Sequence, residues 1–216
     1  MGSGKGQARR ARAGRTVLGD DGTSHVVHDD GSESWYKIFP EGRKYHREDG
    51  PANTYADGTE EWLQRGELHR VGGPARVEPI SGVEQWYLDG VLHRDDGPAH
   101  TSPGQVKELY LHGKTVRTMS RVEEWYRHGK AHRVGGPAVI TFEGRREWWS
   151  DGKRHRLDGP AIEWPDWRRE WWLDNKLVKE DAVKMAFAAE RRRVQEDELV
   201  ERLQEVDLAT PERVAF

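Results

Sequence analysis

Large apolar side chains in residues 33–179 occur as adjacent pairs, separated by polar and glycine-rich stretches. Five of these pairs are wholly aromatic: Trp35-Tyr36, Trp86-Tyr87, Trp125-Tyr126, Trp148-Trp149 and Trp171-Trp172. Short aromatic stretches bounded by turn residues are typical of β-strands. Adjacent residues of a strand point to opposite faces of its sheet. The pattern therefore predicts short strands with one aromatic row in the core and a second aromatic row on the other face.

The aromatic pairs belong to a sequence repeat. The segments EEWLQRGELHRVGGPA, EQWYLDGVLHRDDGPA, EEWYRHGKAHRVGGPA and REWWSDGKRHRLDGPA share an E-x-W-aromatic-x-x-G-x-x-H-R-x-x-G-P-A consensus. Complete His-Arg-x-x-Gly-Pro-Ala units, at intervals of 23, 24, 39 and 23 residues, stand at His46, His69, His93, His132 and His155. Within the long interval, Leu109, Tyr110 and Gly113 match the Trp-aromatic-Gly positions of a degenerate unit, and Val116 stands where its His is expected. With a last incomplete unit at Trp171, the sequence predicts seven units, five of them complete.

The turn residues indicate what each unit folds into. Asp89-Gly90, Asp151-Gly152 and Asp174-Asn175 stand where a two-residue β-hairpin turn is expected. The Asp-Gly-Pro segments form a second break, because proline lacks a ladder donor and glycine accepts a positive φ. A single hairpin is only marginally stable, so the units must stack on one another. The sequence predicts an all-β repeat array of stacked β-hairpins, an elongated sheet over residues 16–179.

Residues 180–216 have a different pattern. They contain one proline and no glycine, and apolar residues recur at helical spacing at Val183, Phe187 and Val194, then at Leu199, Leu203 and Val206. The stripe shifts near residues 195–198, so one bent helix and two helices are both allowed. The segment is expected either to cap the last hairpin or to recruit a partner, including a second copy of the chain.

Composition excludes several classes of protein. Of the 216 residues 34% are hydrophobic and none is cysteine, while ten are tryptophan; the mean hydropathy is −0.98. These values exclude a large aliphatic core, a transmembrane helix and a disulfide scaffold. The absence of cysteine and of a signal peptide fits a reducing cytoplasm.

The repeat resembles the MORN family (membrane occupation and recognition nexus), and more narrowly the MORN-like repeats of bacterial and bacteriophage proteins. The resemblance covers residues 33–179. The matching aromatic and turn-glycine positions are Trp62, Gly66, Trp86, Gly90, Trp125, Gly129, Trp148 and Gly152. It implies a rigid scaffold for protein contacts and, in some members, for lipid contacts; one bacterial branch consists of antitoxins.

The repeated histidines are the obvious candidates for chemistry. Zinc needs several ligands at about 2.0–2.1 Å from the metal, whereas equivalent histidines two strands apart are separated by roughly 9–10 Å. We therefore expect His46, His69, His93, His132 and His155 to be structural, each bonding the Asp-Gly-Pro turn. The arginines that follow them are expected to face the glutamates that precede the tryptophans, as a cross-strand charge ladder. No catalytic, metal-binding or cofactor-binding residue is predicted.

The second aromatic row is the best candidate for partner binding. Its members, with two tryptophans of the loop EWPDW, are Tyr87, Tyr126, Trp149, Trp164, Trp167 and Trp172. A normal surface avoids such a row unless something covers it, so either the protein's own segments or a partner protein must do so.

The first fifteen residues form a basic tail without acidic residues. The cations are Lys5, Arg9, Arg10, Arg12 and Arg15, whereas the whole chain has a net charge of −3. The tail is expected to be disordered and to be available to nucleic acid or another anionic surface.

Three functional hypotheses follow. The first is a non-enzymatic interaction scaffold that binds a protein in the bacterial cytoplasm, as a phage accessory factor or an antitoxin-like inhibitor. The second is a nucleic-acid-associated or virion component that acts through the tail. The third is a glycan-acting enzyme whose site lies in the irregular region 100–122.

Overall fold

The computed structural model describes residues 15–19, 22–111 and 114–209, and only the backbone in 105–111, 114–120 and 205–209. It contains 23 described strands and one described helix. The elements are β1 (Arg15–Leu18), β2 (Thr23–Val27), β3 (Glu33–Phe39), β4 (Gly42–Tyr45), β5 (Asn53–Thr54), β6 (Glu60–Glu61), β7 (Leu63–Gln64), β8 (Glu67–Leu68), β9 (Arg76–Glu78), β10 (Val83–Gln85), β11 (Tyr87–Leu88), β12 (Val91–Leu92), β13 (His100–Leu111), β14 (Lys114–Glu124), β15 (Tyr126–Arg127), β16 (Lys130–Ala131), β17 (Val139–Ile140), β18 (Arg146–Glu147), β19 (Trp149–Ser150), β20 (Lys153–Arg154), β21 (Ile162–Glu163), β22 (Arg169–Leu173), β23 (Lys176–Val178) and α1 (Glu180–Ala209).

One long antiparallel sheet runs through the array. Its strand order is β1-β2-β3-β5-β6-β9-β10-β13-β14-β17-β18-β21-β22-β23, with β4 paired to β3. Within it, turns at 28–32, 55–59, 78–82, 141–145 and 164–168 join consecutive strands, and we call these the tip turns. Two pairs of neighbouring tip turns approach closely: an added Cβ on Gly58 would lie 3.1 Å from Cγ of Pro79, and one on Gly144 would lie 3.5 Å from Cγ of Pro165.

A second row of hairpins alternates with the strands of the long sheet. We call its members, β3–β4, β7–β8, β11–β12, β15–β16, β19–β20 and β22–β23, the repeat hairpins. In the Asp89-Gly90 turn both residues have positive φ, 49° and 74°, which is the type I′ geometry that suits a tight hairpin. The structure confirms the predicted all-β repeat array with a C-terminal helix.

In each repeat, the chain passes from the long sheet into the repeat hairpin at the tryptophan of the E-x-W motif. In the second repeat, the N–H of Trp62 donates to Ala75 O, while its carbonyl accepts from the N–H of His69. Ala75 is fully buried at this junction, and so are the four equivalent alanines: Ala52, Ala99, Ala138 and Ala161. No large side chain in the described residues is fully buried, so small alanines and half-buried tryptophans make a thin core.

The 39-residue interval differs from the expectation. Residues 100–124 form one long hairpin, β13–β14, in which Leu109 pairs with Val116. This long hairpin does not interrupt the row of repeat hairpins, because the N–H of Gly129, in the turn of β15–β16, donates directly to Leu92 O of β12. The predicted degenerate unit is therefore an elongated tip of one repeat, and the described residues contain six repeat hairpins rather than the seven units that were counted. Region 100–122 is likewise part of this strand pair, whose register shifts between Pro103 and Val106.

The two ends of the array are finished differently. At the N-terminal end the β1–β2 hairpin, which the sequence pattern did not predict, pairs with β3 from Thr23↔Lys37 to Val27↔Glu33. The ring of His25 stacks on Trp35 with centroids 4.2 Å apart. At the other end residues 180–209 form a single helix, α1, which settles the choice between one helix and two.

Candidate functional site

The Arg-x-x-Gly-Pro part of the motif builds a stack in every complete repeat. The guanidinium of Arg70 lies 3.7 Å from the centre of the Trp62 ring and donates from Nη1 to Pro74 O at 3.1 Å. A Cβ on Gly73 would lie only 2.8 Å from Cζ of Arg70. An alanine at this position would therefore have to displace the guanidinium of Arg70. The other four arginine–tryptophan pairs, at 3.7–4.2 Å, are Arg47–Trp35, Arg94–Trp86, Arg133–Trp125 and Arg156–Trp148.

This stack replaces the predicted charge ladder. The arginine side chains of the motif lie on tryptophan rings, and Arg47, Arg94 and Arg156 also bind the aspartate two residues later at 2.7–2.9 Å. An ion pair with a glutamate is present at Arg156, whose Nη1 lies 3.2 Å from Oε1 of Glu163. Because guanidinium stacks on aromatic faces as well as pairing with carboxylates, residue types alone did not distinguish the two arrangements.

The histidines connect neighbouring repeats. Nδ1 of His69 accepts a hydrogen bond from the backbone N–H of Asp89 at 3.2 Å, and Oδ1 of Asp89 lies 2.8 Å away. The same bond, at 3.1–3.3 Å, joins the equivalent pairs His46–Arg65, His93–His128, His132–Asp151 and His155–Asp174. Each histidine thus binds the first turn residue of the next repeat hairpin. The expected partner was the Asp-Gly-Pro turn; the observed one links two repeats.

The predicted aromatic row is half-buried. The row lies in the first strands of four repeat hairpins, at Tyr87, Tyr126, Trp149 and Trp172. The indole N–H groups of Trp149 and Trp172 donate to Glu147 and Glu170. Arg154 lies over both rings, 4.9 Å and 5.4 Å from their centres. Burial raises the pKa of the Tyr126 phenol, with the Glu124 carboxylate as a lesser cause. Part of this row is therefore covered by the protein's own side chains.

Trp164 and Trp167 lie apart from that row, in the tip turn 164–168. Trp167 is 83% exposed, and its φ of 69° is in the left-handed region. The guanidinium of Arg168 lies 5.2 Å from the centre of the Trp164 ring and is held by Oδ2 of Asp166 at 2.7 Å. Both tryptophans line a cavity of about 360 Å³ next to the preceding tip turn.

Helix α1 begins where a further His-Arg-x-x-Gly-Pro turn would stand, since Val178 and Lys179 occupy the His-Arg positions. Val183 is 2% exposed. Together with Phe187 and Leu157 it lines a cavity of about 420 Å³ that also includes Trp171. At the motif position of the half-buried Leu157, two of the earlier repeats carry Val71 and Val134, which are 81% and 83% exposed. The first turns of α1 thus anchor the helix at this last groove.

The remainder of α1 leaves the array. Residues 191–204 are all exposed, among them Leu199 and Leu203 at 57% and 58%. A helix turns by roughly 100° per residue, so these leucines lie roughly 160–200° around the axis from Val183. We call the side of α1 that carries Leu199 and Leu203 its distal face, and it points away from the side that anchors the helix.

The remaining predictions concern the basic cluster, metal ions and membrane-spanning helices. Arg15 is exposed in β1, and the rest of the basic cluster, Lys5, Arg9, Arg10 and Arg12, lies outside the described residues. Among the residues that the structure describes, no three His, Asp or Glu side chains are grouped to hold a metal ion. No described helix is long and apolar enough to cross a membrane.

Comparisons of the chain with profiles of known protein families and with curated proteins found no match.

Proposed function

We propose that the protein is a non-enzymatic interaction scaffold that binds a protein partner through the distal face of α1. The observation that supports this most directly is the change of apolar face along one continuous helix. Val183 anchors α1 to the array, whereas Leu199 and Leu203 lie on the opposite side and are exposed. The array does not cover the distal face, so its exposed leucines are available to another molecule.

The energetics of a projecting helix favour a bound partner. Helices in proteins gain most of their stability from packing an apolar face, whereas residues 191–204 of α1 are all exposed. Burying the exposed leucines would contribute roughly 25 cal/mol for each Å² of apolar surface removed from water. A partner that supplies an apolar groove would therefore order the helix and gain affinity from the same residues.

The repeat array provides the rigid base for this helix. The histidine bonds between repeats, and a further bond from each motif arginine N–H to the next repeat hairpin, such as Arg156 to Trp172 O at 3.3 Å, join every repeat hairpin to its neighbour. We place this activity in the bacterial cytoplasm, where the MORN-like resemblance implies a phage accessory factor or an antitoxin-like inhibitor that binds a host protein.

Affinity purification of the full chain from bacterial cells tests the proposal. The wild-type protein should enrich a defined protein partner, and L199E/L203E should reduce that enrichment at least about tenfold, which corresponds to about 1.4 kcal/mol. The matched control is Leu177→Glu, which places a glutamate at a 62% exposed leucine of β23 and should leave enrichment unchanged. Equal enrichment by wild type and L199E/L203E, with helicity preserved in circular dichroism, would contradict the proposal.

A further inference from the structure

Four tip turns of the long sheet have the same hydrogen-bond pattern. In the turns 28–32, 55–59, 141–145 and 164–168, the first residue's N–H donates to the carbonyl of the fifth, and the fourth residue's N–H donates to the carbonyl of the first. The fourth residue has a φ of 69–87° in every case. In three of the turns this residue is a glycine, at Gly31, Gly58 and Gly144, whereas in the turn 164–168 it is Trp167.

Trp167 therefore occupies a position whose backbone suits glycine. A bulky residue with positive φ is a genuine outlier, and such strain is concentrated at functional sites. The side chain does not compensate by packing into the core, since it is 83% exposed. Neither the turn nor the core explains this tryptophan, whereas a ligand that contacts its ring would.

The groove beside Trp167 combines aromatic surface with balanced charge. Its volume is about 360 Å³, within the range of small-molecule sites. Glu163 pairs in register with Arg146 on one side and Arg169 on the other, so these three side chains share a face of the sheet. With Glu143 the lining has two cations and two anions, which favours a neutral polar ligand over a phosphate or another strongly charged group.

We propose that this groove binds a neutral saccharide unit. A pyranose ring has a face of C–H groups and a rim of hydroxyls. The C–H face fits the negative π surfaces of Trp164 and Trp167, and the hydroxyls fit the guanidinium of Arg146 and the carboxylate of Glu163, whose hydrogen bonds are charge-assisted. The site goes beyond the proposed protein-binding function and shares only Arg169 with the groove where α1 is anchored.

Calorimetric titration of the full chain with maltohexaose, cellohexaose and chitohexaose, each separately, tests this site. At least one sugar should bind in a 1:1 complex, and Trp167→Gly should weaken that binding at least about tenfold. Because three equivalent turns carry glycine, this variant should fold and should unfold at the same or a higher temperature than wild type. A second variant, Arg146→Gln, should weaken binding several-fold without touching the strained turn.

The matched control is Ile80→Gly, which removes an equally exposed apolar side chain, 83%, from another tip turn. It should bind as wild type does. Absence of binding to all three sugars at up to about 10 mM, equal binding by Trp167→Gly, or destabilisation of Trp167→Gly would overturn the proposal. If Trp167→Gly instead abolishes capture of the protein partner, the tip is a protein contact and the saccharide site is wrong; the α1 test, which changes only Leu199 and Leu203, reports separately.

Discussion

At the scale of single residues, the arginine of the motif makes the contacts that define the packing of each repeat. A guanidinium over an indole ring contributes roughly 0.5–2 kcal/mol, depending on how far it is desolvated. In each complete repeat the same guanidinium also donates to the proline carbonyl of the turn. The motif therefore encodes a small packing unit, in which glycine leaves the room that arginine needs.

Gly73→Ala should destabilise the protein by about 1–2 kcal/mol. The φ of Gly73 is not in the left-handed region, so an alanine backbone is tolerated there, and the cost comes from moving Arg70 off Trp62. Urea unfolding measures the change. The control is the double-mutant cycle with Arg70→Ala: the alanine at position 73 should cost much less once the guanidinium is absent. Additive effects would contradict this packing arrangement.

Glu147 is the most deeply buried charged residue among those described, at 3% exposure. Its carboxylate binds Arg145 at 2.6 Å, Arg154 at 3.2 Å and the Trp149 indole N–H at 3.1 Å. Glu147→Ala should therefore cost about 1–3 kcal/mol in urea unfolding, because it leaves the Trp149 indole N–H and two partly exposed guanidinium groups without their buried acceptor. Glu170→Ala removes the side chain at the same motif position, which accepts a single hydrogen bond from an indole N–H, and should cost less than half as much. Equal losses of stability would show that burial of the carboxylate does not decide the cost.

Tip turns show at the scale of elements how local hydrogen bonds fix a turn. The N–H of Thr59 lowers the pKa of Asp57, and the N–H of Arg168 does the same for Asp166. At Asp30 the Ser32 hydroxyl is the largest cause and the Ser32 N–H the next. In each turn the ionised aspartate is the form that the backbone donors stabilise.

Acid should weaken the array through these turns. A carboxyl whose pKa is lower in the folded protein contributes stability at pH values above its ordinary pKa of 3.8, and loses it as the pH falls through the folded pKa. Carboxyl carbon shifts in NMR should place the Asp57 and Asp166 midpoints below 3.8. Asp57→Asn should reduce the fall in urea midpoint over that acidic range. Midpoints at or above the ordinary value would contradict the turn geometry.

Elements that depend on local chemistry were predictable from the sequence, and those that depend on distant partners were not. Asp89-Gly90 predicts a type I′ turn because both φ values must be positive within two residues. The interval before His132 did not reveal that β13–β14 is an elongated tip, because Leu109 and Val116 fall at the spacing of the repeat although they pair with each other in the long hairpin. The anomaly at Trp167 was visible only by comparison with three folded turns, since its loop carries no glycine to align.

The whole molecule is a one-dimensional array with different ends. Each repeat contacts its neighbours through a histidine, an arginine N–H and a turn N–H, so stability is expected to be a sum over repeats and their junctions. The β1–β2 hairpin closes the first repeat, and α1 closes the last with Val183 and then projects. This asymmetry places the proposed protein-binding surface at one end of the chain.

Site-specific photo-crosslinking in bacterial cells tests the scaffold function most directly. A photoreactive amino acid in place of Leu203 samples the distal face of α1, and the same group in place of Glu201 samples a position about 160° away around the axis. We expect a crosslink from position 203 to one defined protein other than this chain, and at most a faint one from position 201. Equal crosslinking from both positions, crosslinking only to a second copy, or none from position 203 would contradict it.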